Sequence, residues 1–405
     1  MSEVHVATLD ELVRAGHLEL GDGYRTKRTE YGRPGLPILR VADVHDGRIE
    51  PSFLDYVSLQ YLGSIGPKVS RVGDIVLTTK GTVGRVAIMP NGAPEFVYSP
   101  QVCFFRILSP GSPIQPRYMF YWFKSEQFLN QATYRKGQTD MADYLNLADI
   151  RSLKVELPPR AVQSAVAEVL GALDDKIAAN TSCIQTANHL MRLHFQLAIA
   201  QGSMTAAVDD VAVVFDGPHA TPEKTNAGPW FLSISSLQEG RLVLAASAHL
   251  AEQDFARWTR RVTPTVGDVL FSYETRLGEA ALMPDGVRAC LGRRMALLRP
   301  RADRVGPRTL LQAYMSDPFQ ATIRQRAVHG ATVDRIPLSE LPAWPISLPK
   351  QAGQLETLLG AIDEVAAQRE RENETLAALR DALLPKLMSG GVRVKDAEKV
   401  VEEAL

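Results

Sequence analysis

The apolar residues of this chain follow two different patterns along its length. Over residues 1–157 they form short runs separated by glycine and proline, which is typical of short strands joined by turns. Strands are predicted at residues 37–41, 74–79, 85–89 and 102–107. A helix is predicted over residues 117–132, with one apolar side formed by Phe120, Phe123, Phe128 and Leu129.

The second pattern begins at residue 160 and continues to about residue 200, a stretch without proline in which Gly171 is the only glycine. Apolar residues recur there at alternating spacings of four and three, which is the heptad pattern of a coiled coil. We therefore predict a helix of about 38 residues, or roughly 57 Å. Its seam consists of Val166, Leu170, Leu173, Ile177, Asn180, Ile184, Ala187, Met191 and His194.

Both patterns occur twice in the chain. Residues 72–77 (VGDIVL) return as residues 266–271 (VGDVLF), 194 positions later (266 − 72). Residues 170–175 (LGALDD) return as 359–364 (LGAIDE), 189 positions later (359 − 170). This period is too long for the unit of a solenoid. It indicates two copies of one module, each made of a globular part and a long helix.

The repeat predicts the domain organisation. Two similar globular domains of mixed α/β (α+β) class occupy residues 1–157 and 203–348, and long helices follow each of them at 158–202 and 349–391. The charged tail at 392–405 is expected to be loosely ordered or to contact a partner. The second seam, obtained by adding 189 to the first, consists of Leu355, Leu359, Ile362, Ala366, Arg369, Asn373, Leu376, Arg380 and Leu383.

The two seams match, so the two helices are expected to bury each other. If the helices run antiparallel and flush, the midpoints Asn180 and Arg369 would meet, and a polar pair at the centre of a seam fixes register. The alternative is two separate amphipathic helices, each packed on its own domain.

Composition limits the classes of function. Lys and Arg number 45 against 46 Asp and Glu, so any surface for nucleic acid must be local. Three cysteines in a long chain argue against a disulfide framework. The first residues lack the features of a signal peptide, and no apolar run approaches the roughly 20 residues of a membrane span.

The sequence offers little that could carry catalysis. It has no phosphate-binding loop, no dinucleotide motif and no H-E-x-x-H, and its eight histidines do not cluster at metal-ligand spacing. Asp74 with Lys80, and Asp268 with Glu274, resemble parts of a nuclease carboxylate set. The favoured interpretation is a turn whose aspartate accepts backbone N–H bonds. The chain is predicted to be a binding protein, with an enzyme of unrecognised site as an alternative.

Polar residues concentrate in loops that occupy equivalent places in the two copies. The loop pairs are 24–33 with 216–224, 78–85 with 272–278, 99–101 with 292–294, and 134–139 with 327–332. Their residue types are those that reach phosphates and base edges. The predicted DNA-binding residues of the first copy are Arg25, Lys27, Arg28, Lys80, Thr82, Arg85, Gln101, Lys136, Gln138 and Thr139. Those of the second copy are His219, Thr221, Lys224, Tyr273, Arg276, Arg293, Arg294, His329 and Thr332.

From about residue 8 to residue 390 the chain resembles the specificity subunit of type I restriction-modification systems. The resemblance rests on 216–222 (DGPHATP) followed by 230–232 (WFL), on 73–76 (GDIV) followed by Gly84-Arg85, and on 157–159 (LPP) leading into 169–177 (VLGALDDKI). The first copy departs from the Asp-Gly-x-His form at its first loop, where a basic stretch stands at 24–33.

The resemblance implies a division of labour. Two target-recognition domains each read one half of a split, asymmetric DNA site, and the two long helices form an antiparallel coiled coil that sets the gap. Two methyltransferase subunits dock on the helical region with S-adenosylmethionine, and restriction subunits add cleavage that depends on ATP and Mg. The chain itself is implied to be non-catalytic, to hold no cofactor or metal, and to act in the cytoplasm of a bacterium or archaeon.

Two alternative functions remain open at this point. One is a specificity subunit of a methylation-only or phage-exclusion system, which has the same fold and reads DNA in the same way. The other belongs to a different class: a coiled-coil scaffold that joins two protein-binding domains.

Overall fold

The computed structural model describes residues 5–135, 144–330 and 333–405. The chain forms two compact units. Unit 1 comprises residues 1–178 and 374–405, and unit 2 comprises residues 179–373. Each unit therefore combines a globular part with a section of both long helices.

The globular part of unit 1 is built around a four-stranded antiparallel sheet in the order β2-β10-β7-β8. Smaller pairings join β1 to β11, β4 to β5, and β3 to both β6 and β9. Its elements are β1 (His5–Thr8), α1 (Leu9–Arg14), β2 (Leu18–Asp22), β3 (Gly35–Leu39), β4 (Val44–His45), β5 (Arg48–Ile49), β6 (Tyr56–Ser58), α2 (Leu62–Ile65), β7 (Ile75–Thr78), β8 (Val86–Ile88), β9 (Val97–Tyr98), β10 (Val102–Ile107), α3 (Pro116–Phe123), α4 (Glu126–Arg135), α5 (Leu147–Arg151) and β11 (Lys154–Leu157).

The remaining elements follow in chain order. They are α6 (Arg160–Gln201), β12 (Ser203–Ala207), α7 (Val208–Val211), β13 (Ala212–Asp216), β14 (Thr225–Phe231), β15 (Leu237–Gln238), β16 (Arg241–Leu242), β17 (Ala248–His249), α8 (Phe255–Trp258), β18 (Val269–Ser272), β19 (Ala280–Leu282), β20 (Ala289–Cys290), β21 (Met295–Pro300), α9 (Pro307–Met315), α10 (Asp317–Arg326), β22 (Pro345–Pro349), α11 (Ala352–Met388) and α12 (Val394–Ala404).

The strand pairing of unit 2 repeats that of unit 1. Its four-stranded sheet has the order β13-β21-β18-β19, and its smaller pairings are β12-β22, β15-β16 and β17-β14-β20. Every described strand of one unit thus has a counterpart with the same neighbours in the other unit. The duplication predicted from the 194-residue offset is confirmed, and so is the mixed helix and strand class.

The single helix predicted over residues 117–132 is wrong, because the structure has α3 and α4 with a break between them. Lys124 ends α3, and the Ser125 hydroxyl donates to the Trp122 carbonyl at 2.7 Å. Unit 2 has the same break between α9 and α10, where the Ser316 hydroxyl donates to the Ala313 carbonyl at 2.6 Å. Leu129, which was predicted on the apolar side, is exposed.

A buried ion pair holds the main sheet of unit 1 together. Asp74 lies just before β7, and Arg106 lies on the adjacent strand β10. The Arg106 Nε and Nη2 atoms donate to the two Asp74 carboxylate oxygens at 2.8 and 2.7 Å. The remaining guanidinium hydrogen bonds go to the Glu19 carboxylate and to two backbone carbonyls. Burial lowers the pKa of Arg106, but its bonds to Asp74 and Glu19 raise that pKa above its ordinary value.

Unit 2 repeats this ion pair. The Arg299 Nε and Nη2 atoms donate to Asp268 at 2.9 and 2.7 Å, and Asp268 also accepts the Thr265 N–H at 2.8 Å. The predicted turn, in which aspartate accepts a backbone N–H, is therefore present in both units. The sequence did not reveal the arginine that covers each carboxylate.

The two long helices pack against each other in antiparallel orientation, as predicted. In unit 1, Asp174 of α6 accepts from Arg380 of α11 at 2.8 Å. In unit 2, the Asn180 side-chain amide donates to the Asn373 side-chain oxygen at 3.0 Å. Ascending positions on α6 thus meet descending positions on α11. The seam positions are buried or half-buried, including Leu170, Leu173 and Leu376 in unit 1 and Leu355 and Leu359 in unit 2.

The flush register, in which Asn180 meets Arg369, is wrong by about one helical turn. Asn180 is 4% exposed and pairs with Asn373, because one amide supplies the donor and the other the acceptor. Arg369 instead forms an ion pair with Glu372 of its own helix at 2.6 Å. The polar centre of the seam is therefore an amide pair, and it carries no charge.

The charged tail is not loosely ordered. Residues Val394–Ala404 form α12, and Ala397 and Val401 are buried in the same apolar cluster as Leu384 and Leu387 of α11. Ala397 and Val401 are four residues apart, so they lie on one face of the helix, and this apolar face is buried.

We expect the Arg106→Met substitution to destabilise the protein by about 3–5 kcal/mol, because it leaves the Asp74 carboxylate buried without its cation. Arg299→Met should cost less, because Arg299 is 36% exposed and water can reach the carboxylate it leaves. Urea denaturation followed by circular dichroism measures both.

Arg71→Met is the matched control, since this side chain is exposed beside the same turn. A midpoint for Arg106→Met equal to that of the control would contradict the role given to the ion pair.

Candidate nucleic-acid interface

Two predicted loops of unit 1, 78–85 and 99–101, meet the chain segment before α5 at the end of β7. The Thr79 N–H and hydroxyl both donate to the Gln101 carbonyl, at 2.8 and 3.0 Å, and the Leu145 N–H donates to the Thr79 carbonyl at 3.0 Å. The next residue, Lys80, forms an antiparallel backbone bridge with Tyr144. Its ammonium group lies 5.6 Å from the centre of the Tyr144 ring. Thr79 is therefore a junction between the loop after β7, the loop before β10 and the chain segment before α5.

The loop between β2 and β3 of unit 1 is anchored and presents three cations. The Tyr24 N–H donates to the Tyr98 carbonyl at 2.7 Å, and the buried Glu30 accepts the Lys27 N–H at 2.9 Å. Arg25, Lys27 and Arg28 are exposed and form no ion pair with any residue that the structure describes. Their charge is thus available to an anionic partner.

Unit 2 has the same junction with a different residue. The Tyr273 N–H donates to the Arg294 carbonyl at 3.1 Å, and the Ile336 N–H donates to the Tyr273 carbonyl at 2.8 Å. Glu274 and Arg335 form an antiparallel backbone bridge, as Lys80 and Tyr144 do in unit 1. The backbone bonds at the junction are therefore the same in both units, whereas Thr79, Lys80 and Gln101 of unit 1 are replaced by tyrosine, glutamate and arginine.

The Tyr273 hydroxyl is the first of three polar groups in contact, followed by the His219 ring and the Asp216 carboxylate. Burial, followed by the charges of Asp216 and Glu274, raises the pKa of Tyr273 to about 12, so its hydroxyl remains a donor at neutral pH. The hydroxyl lies 3.4 Å from the His219 Nδ1 atom, and the His219 Nε2 atom lies 3.0 Å from the Asp216 carboxylate. Both ring nitrogens of His219 therefore face protein partners, which fixes the orientation of an exposed ring.

Ion pairs restrain several other predicted residues of unit 2. Arg294 lies 3.0 Å from Glu274, Arg276 lies 3.0 Å from Glu279, and His329 lies 3.0 Å from Asp334. Arg293, Thr221 and Lys224 are exposed. Arg293 and Lys224 form no ion pair with any residue in the described ranges.

The remaining predicted residues occupy different surroundings. Thr82 is exposed, whereas the Arg85 guanidinium donates to the Val44 carbonyl at 3.3 Å and so lies against the β4–β5 hairpin. Lys136, Gln138, Thr139 and Thr332 lie outside the described residues.

The nuclease-like carboxylate set is not formed. Asp74 and Asp268 are about 1% exposed, and each is covered by an arginine. Among the residues that the structure describes, no three His, Cys, Asp or Glu side chains stand close enough together to hold a metal ion. No described helix is long and apolar enough to cross a membrane.

One pair of residues that sequence reasoning missed lies at the base of the first loop in each unit. The Lys68 Nζ atom donates to the Asp22 carboxylate at 3.0 Å and to the Gly23 carbonyl at 2.9 Å. The Arg261 Nη1 atom donates to the Asp216 carboxylate at 2.8 Å and to the Gly217 carbonyl at 2.9 Å. A cation before valine, at Lys68 and 193 positions later at Arg261 (261 − 68), was the available signal.

This geometry corrects the comparison of the two loops. The first copy does not lose the Asp-Gly start of the loop, because Asp22-Gly23 occupies the place of Asp216-Gly217. The departure begins only at Tyr24.

Known proteins resemble this chain over most of its length. A family model described as the type I restriction modification DNA specificity domain matches residues 1–188. A Methanocaldococcus jannaschii protein named "Putative type I restriction enzyme MjaX specificity subunit" is 22% identical over 391 residues, which cover 91% of this chain and 90% of that protein. The MjaVIII specificity subunit of the same organism is 24% identical over 165 residues, 40% of this chain and 38% of that protein.

A solved structure shares the fold. The crystal structure of a type I restriction-modification system S subunit from M. genitalium aligns with a TM-score of 0.53 and 15% identity. The alignment covers 95% of this chain and 96% of that one.

Proposed function

We propose that this chain is a type I restriction-modification specificity subunit, which reads a bipartite, asymmetric DNA site and directs partner subunits to it. The proposal is supported by the family model of the DNA specificity domain, which matches residues 1–188, and by the specificity subunit that aligns with 91% of the chain. The observation that carries this proposal is the pair of junctions at Thr79 and Tyr273. Their backbone hydrogen bonds are the same, and the side chains around them differ. A constant scaffold with different side chains is what two readers of two different half-sites require. The rival scaffold for protein partners is not favoured, since the family model is of a DNA specificity domain.

In this proposal, unit 1 and unit 2 each read one half-site through their loops. Exposed residues with free donors and acceptors, such as Gln101 and Arg293, are suited to base edges. Exposed cations such as Arg25, Lys27 and Lys224 are suited to phosphates, which position the protein and carry no sequence information. The predicted target-recognition domains are residues 1–157 and 203–348.

The long helices are proposed to set the gap between the half-sites. At 1.5 Å per residue, the 42 residues of α6 span roughly 63 Å. A helix sets a distance only where its domain is held firmly, and unit 2 has a clamp for this purpose. Arg241 of β16 donates two bonds of 2.6 Å to Glu370 and one of 2.5 Å to Asp363, both on α11. Arg308 donates to the same Asp363 at 2.9 Å.

Partner subunits would dock on the helical region. Leu190, Leu193 and Leu197 of α6 and Leu358 of α11 are between 40% and 58% exposed. A groove of about 340 Å³ lies between the end of α6 and the start of α11, and Leu197 and Leu358 line it. Exposed apolar patches of this kind mark protein interfaces. We propose that two methyltransferase subunits bind here.

The chemistry is assigned to the partners. Methyltransferase subunits would bring S-adenosylmethionine, and restriction subunits would bring ATP and Mg. The chain itself is proposed to be non-catalytic, to hold no cofactor and to act in the cytoplasm.

Selection from a random duplex DNA library tests the proposal directly. We expect the chain, purified with its methyltransferase subunit, to enrich one bipartite sequence and to bind it at least about 10³-fold more tightly than unrelated DNA. Anisotropy titration at fixed salt gives the ratio. Equal affinity for all duplexes would contradict a specificity subunit and favour the protein scaffold.

The Gln101→Ala substitution should remove discrimination at one base pair of the first half-site. The expected cost is about 1–3 kcal/mol at that position, because an amide that pairs with a base edge is lost. Titration against every single-base variant of the selected site measures it.

Lys27→Ala is the matched comparison for a phosphate contact. It should weaken binding to all sites equally and reduce the salt slope by about one. A change in the second half-site caused by Gln101→Ala would show that the units do not read separately.

The Arg241→Met substitution should relax the length of the gap and leave both half-site sequences unchanged. Without its three bonds to α11, the β15–β16 hairpin is free to shift on the helix. Discrimination against sites with one base pair added or removed should fall by about tenfold, or about 1.4 kcal/mol.

Arg304→Met is the control, since Arg304 is exposed and pairs only with its neighbour Asp303. If Arg241→Met altered the preferred bases and kept the gap strict, the clamp would have no part in spacing.

A further inference from the structure

We propose that Lys68 and Arg261 are positioning residues that set the conformation of the recognition loops following β2 and β13. The inference deepens the proposed function and rests on it, since it names residues that act on base recognition without touching DNA. Each cation bridges the aspartate at the end of a strand and the carbonyl of the next glycine.

The glycine allows a close approach of two backbone segments at this place. A Cβ atom on Gly23 would lie 2.0 Å from the Ser99 carbonyl oxygen, and one on Gly217 would lie 2.5 Å from the Met295 carbonyl oxygen. The chain therefore runs against the neighbouring backbone with no room for a side chain. Its carbonyl and the adjacent carboxylate are both acceptors, and only a group with several donors satisfies the two together.

Recurrence separates this contact from a chance surface ion pair. The residues differ, lysine in unit 1 and arginine in unit 2, yet the two acceptors are the same and the four distances lie between 2.8 and 3.0 Å. The surrounding loops share little sequence. The bridge is present in both units although the loop sequences differ. We therefore infer that it has the same structural role in both loops.

This role is to fix the direction in which the backbone leaves the strand and enters the loop. Immediately after the bridge stand Arg25, Lys27 and Arg28 in unit 1, and His219 and Lys224 in unit 2. The bridging groups are partly exposed, 31% for Lys68 and 60% for Asp22, so their contribution to global stability is small. Their consequence is local: the bridge orients the first residues of the loop.

Unit 1 offers the cleaner test, because Asp216 of unit 2 also contacts His219. Lys68→Met, Asp22→Asn and Lys68→Arg are compared in the full-length chain bound to its methyltransferase subunit. Arg14→Met is the matched control, since the exposed Arg14 side chain forms an ion pair with Asp10 in the same unit.

Lys68→Met and Asp22→Asn should each reduce discrimination within the first half-site by about tenfold. Both should leave the second half-site and the salt slope unchanged, and Lys68→Arg should retain wild-type discrimination. Hydrogen exchange of the DNA-free complex supplies a second readout: the amides of residues 23–31 should exchange faster in the first two variants only.

A phosphate-binding Lys68 gives the opposite pattern and would overturn the proposal. Asp22→Asn would then preserve or strengthen binding, while Lys68→Met would weaken binding to every DNA and reduce the salt slope. Unchanged discrimination and unchanged exchange in both variants would also overturn it. If the wild-type complex itself lacked sequence preference, the proposed function would fall and this inference with it.

Discussion

The buried carboxylate–guanidinium pair between the turn before β7 and strand β10 is the interaction on which unit 1 depends. Asp74 cannot be buried beside apolar strands unless Arg106 neutralises it, and Arg106 cannot be buried unless Glu19 and two carbonyls take its remaining hydrogens. These bonds join β2, β7 and β10 at one end of the sheet. In unit 2, Asp268 and Arg299 form the equivalent carboxylate–guanidinium pair.

A sheet fixed in this way allows its loops to change. At the opposite end of β7 and β18, the backbone bonds of Thr79 and Tyr273 are made by main-chain atoms that every residue has. The side chains at the junction are therefore free to differ, and they do: threonine or tyrosine, lysine or glutamate, glutamine or arginine. Specificity can diverge between the units at little cost to the fold.

The sequence predicted the duplication, the strand content and the two long helices, because the apolar period and the repeated strings carry that information directly. The antiparallel orientation of the helices followed from the family resemblance, since heptad spacing alone does not encode it. It did not predict the break between α3 and α4, because the bond from the Ser125 hydroxyl to the Trp122 carbonyl is a local contact that the spacing of apolar residues does not reveal. The register predicted for the long helices was wrong, because the pairing of Asn180 with Asn373 depends on amide geometry that heptad spacing does not encode.

The candidate interface was predictable only in part. Loop positions follow from the repeat, but Arg85 and Arg294 look equally available in the sequence, although one lies against a carbonyl and the other beside Glu274. Lys68 and Arg261 were missed because their partners lie 46 and 45 residues away in the chain. Contacts of that range arise from the tertiary fold.

The most direct test of the account is a genome-wide map of methylated bases in a host that carries this chain and the methyltransferase subunit proposed as its partner. The map is compared with that of a chimera in which a type I restriction-modification specificity subunit supplies the segment equivalent to residues 203–348. The account predicts one bipartite motif for the native chain and, for the chimera, a change in one half with the other half and the gap preserved. A continuous motif, or a change in both halves, would contradict two units that read separately.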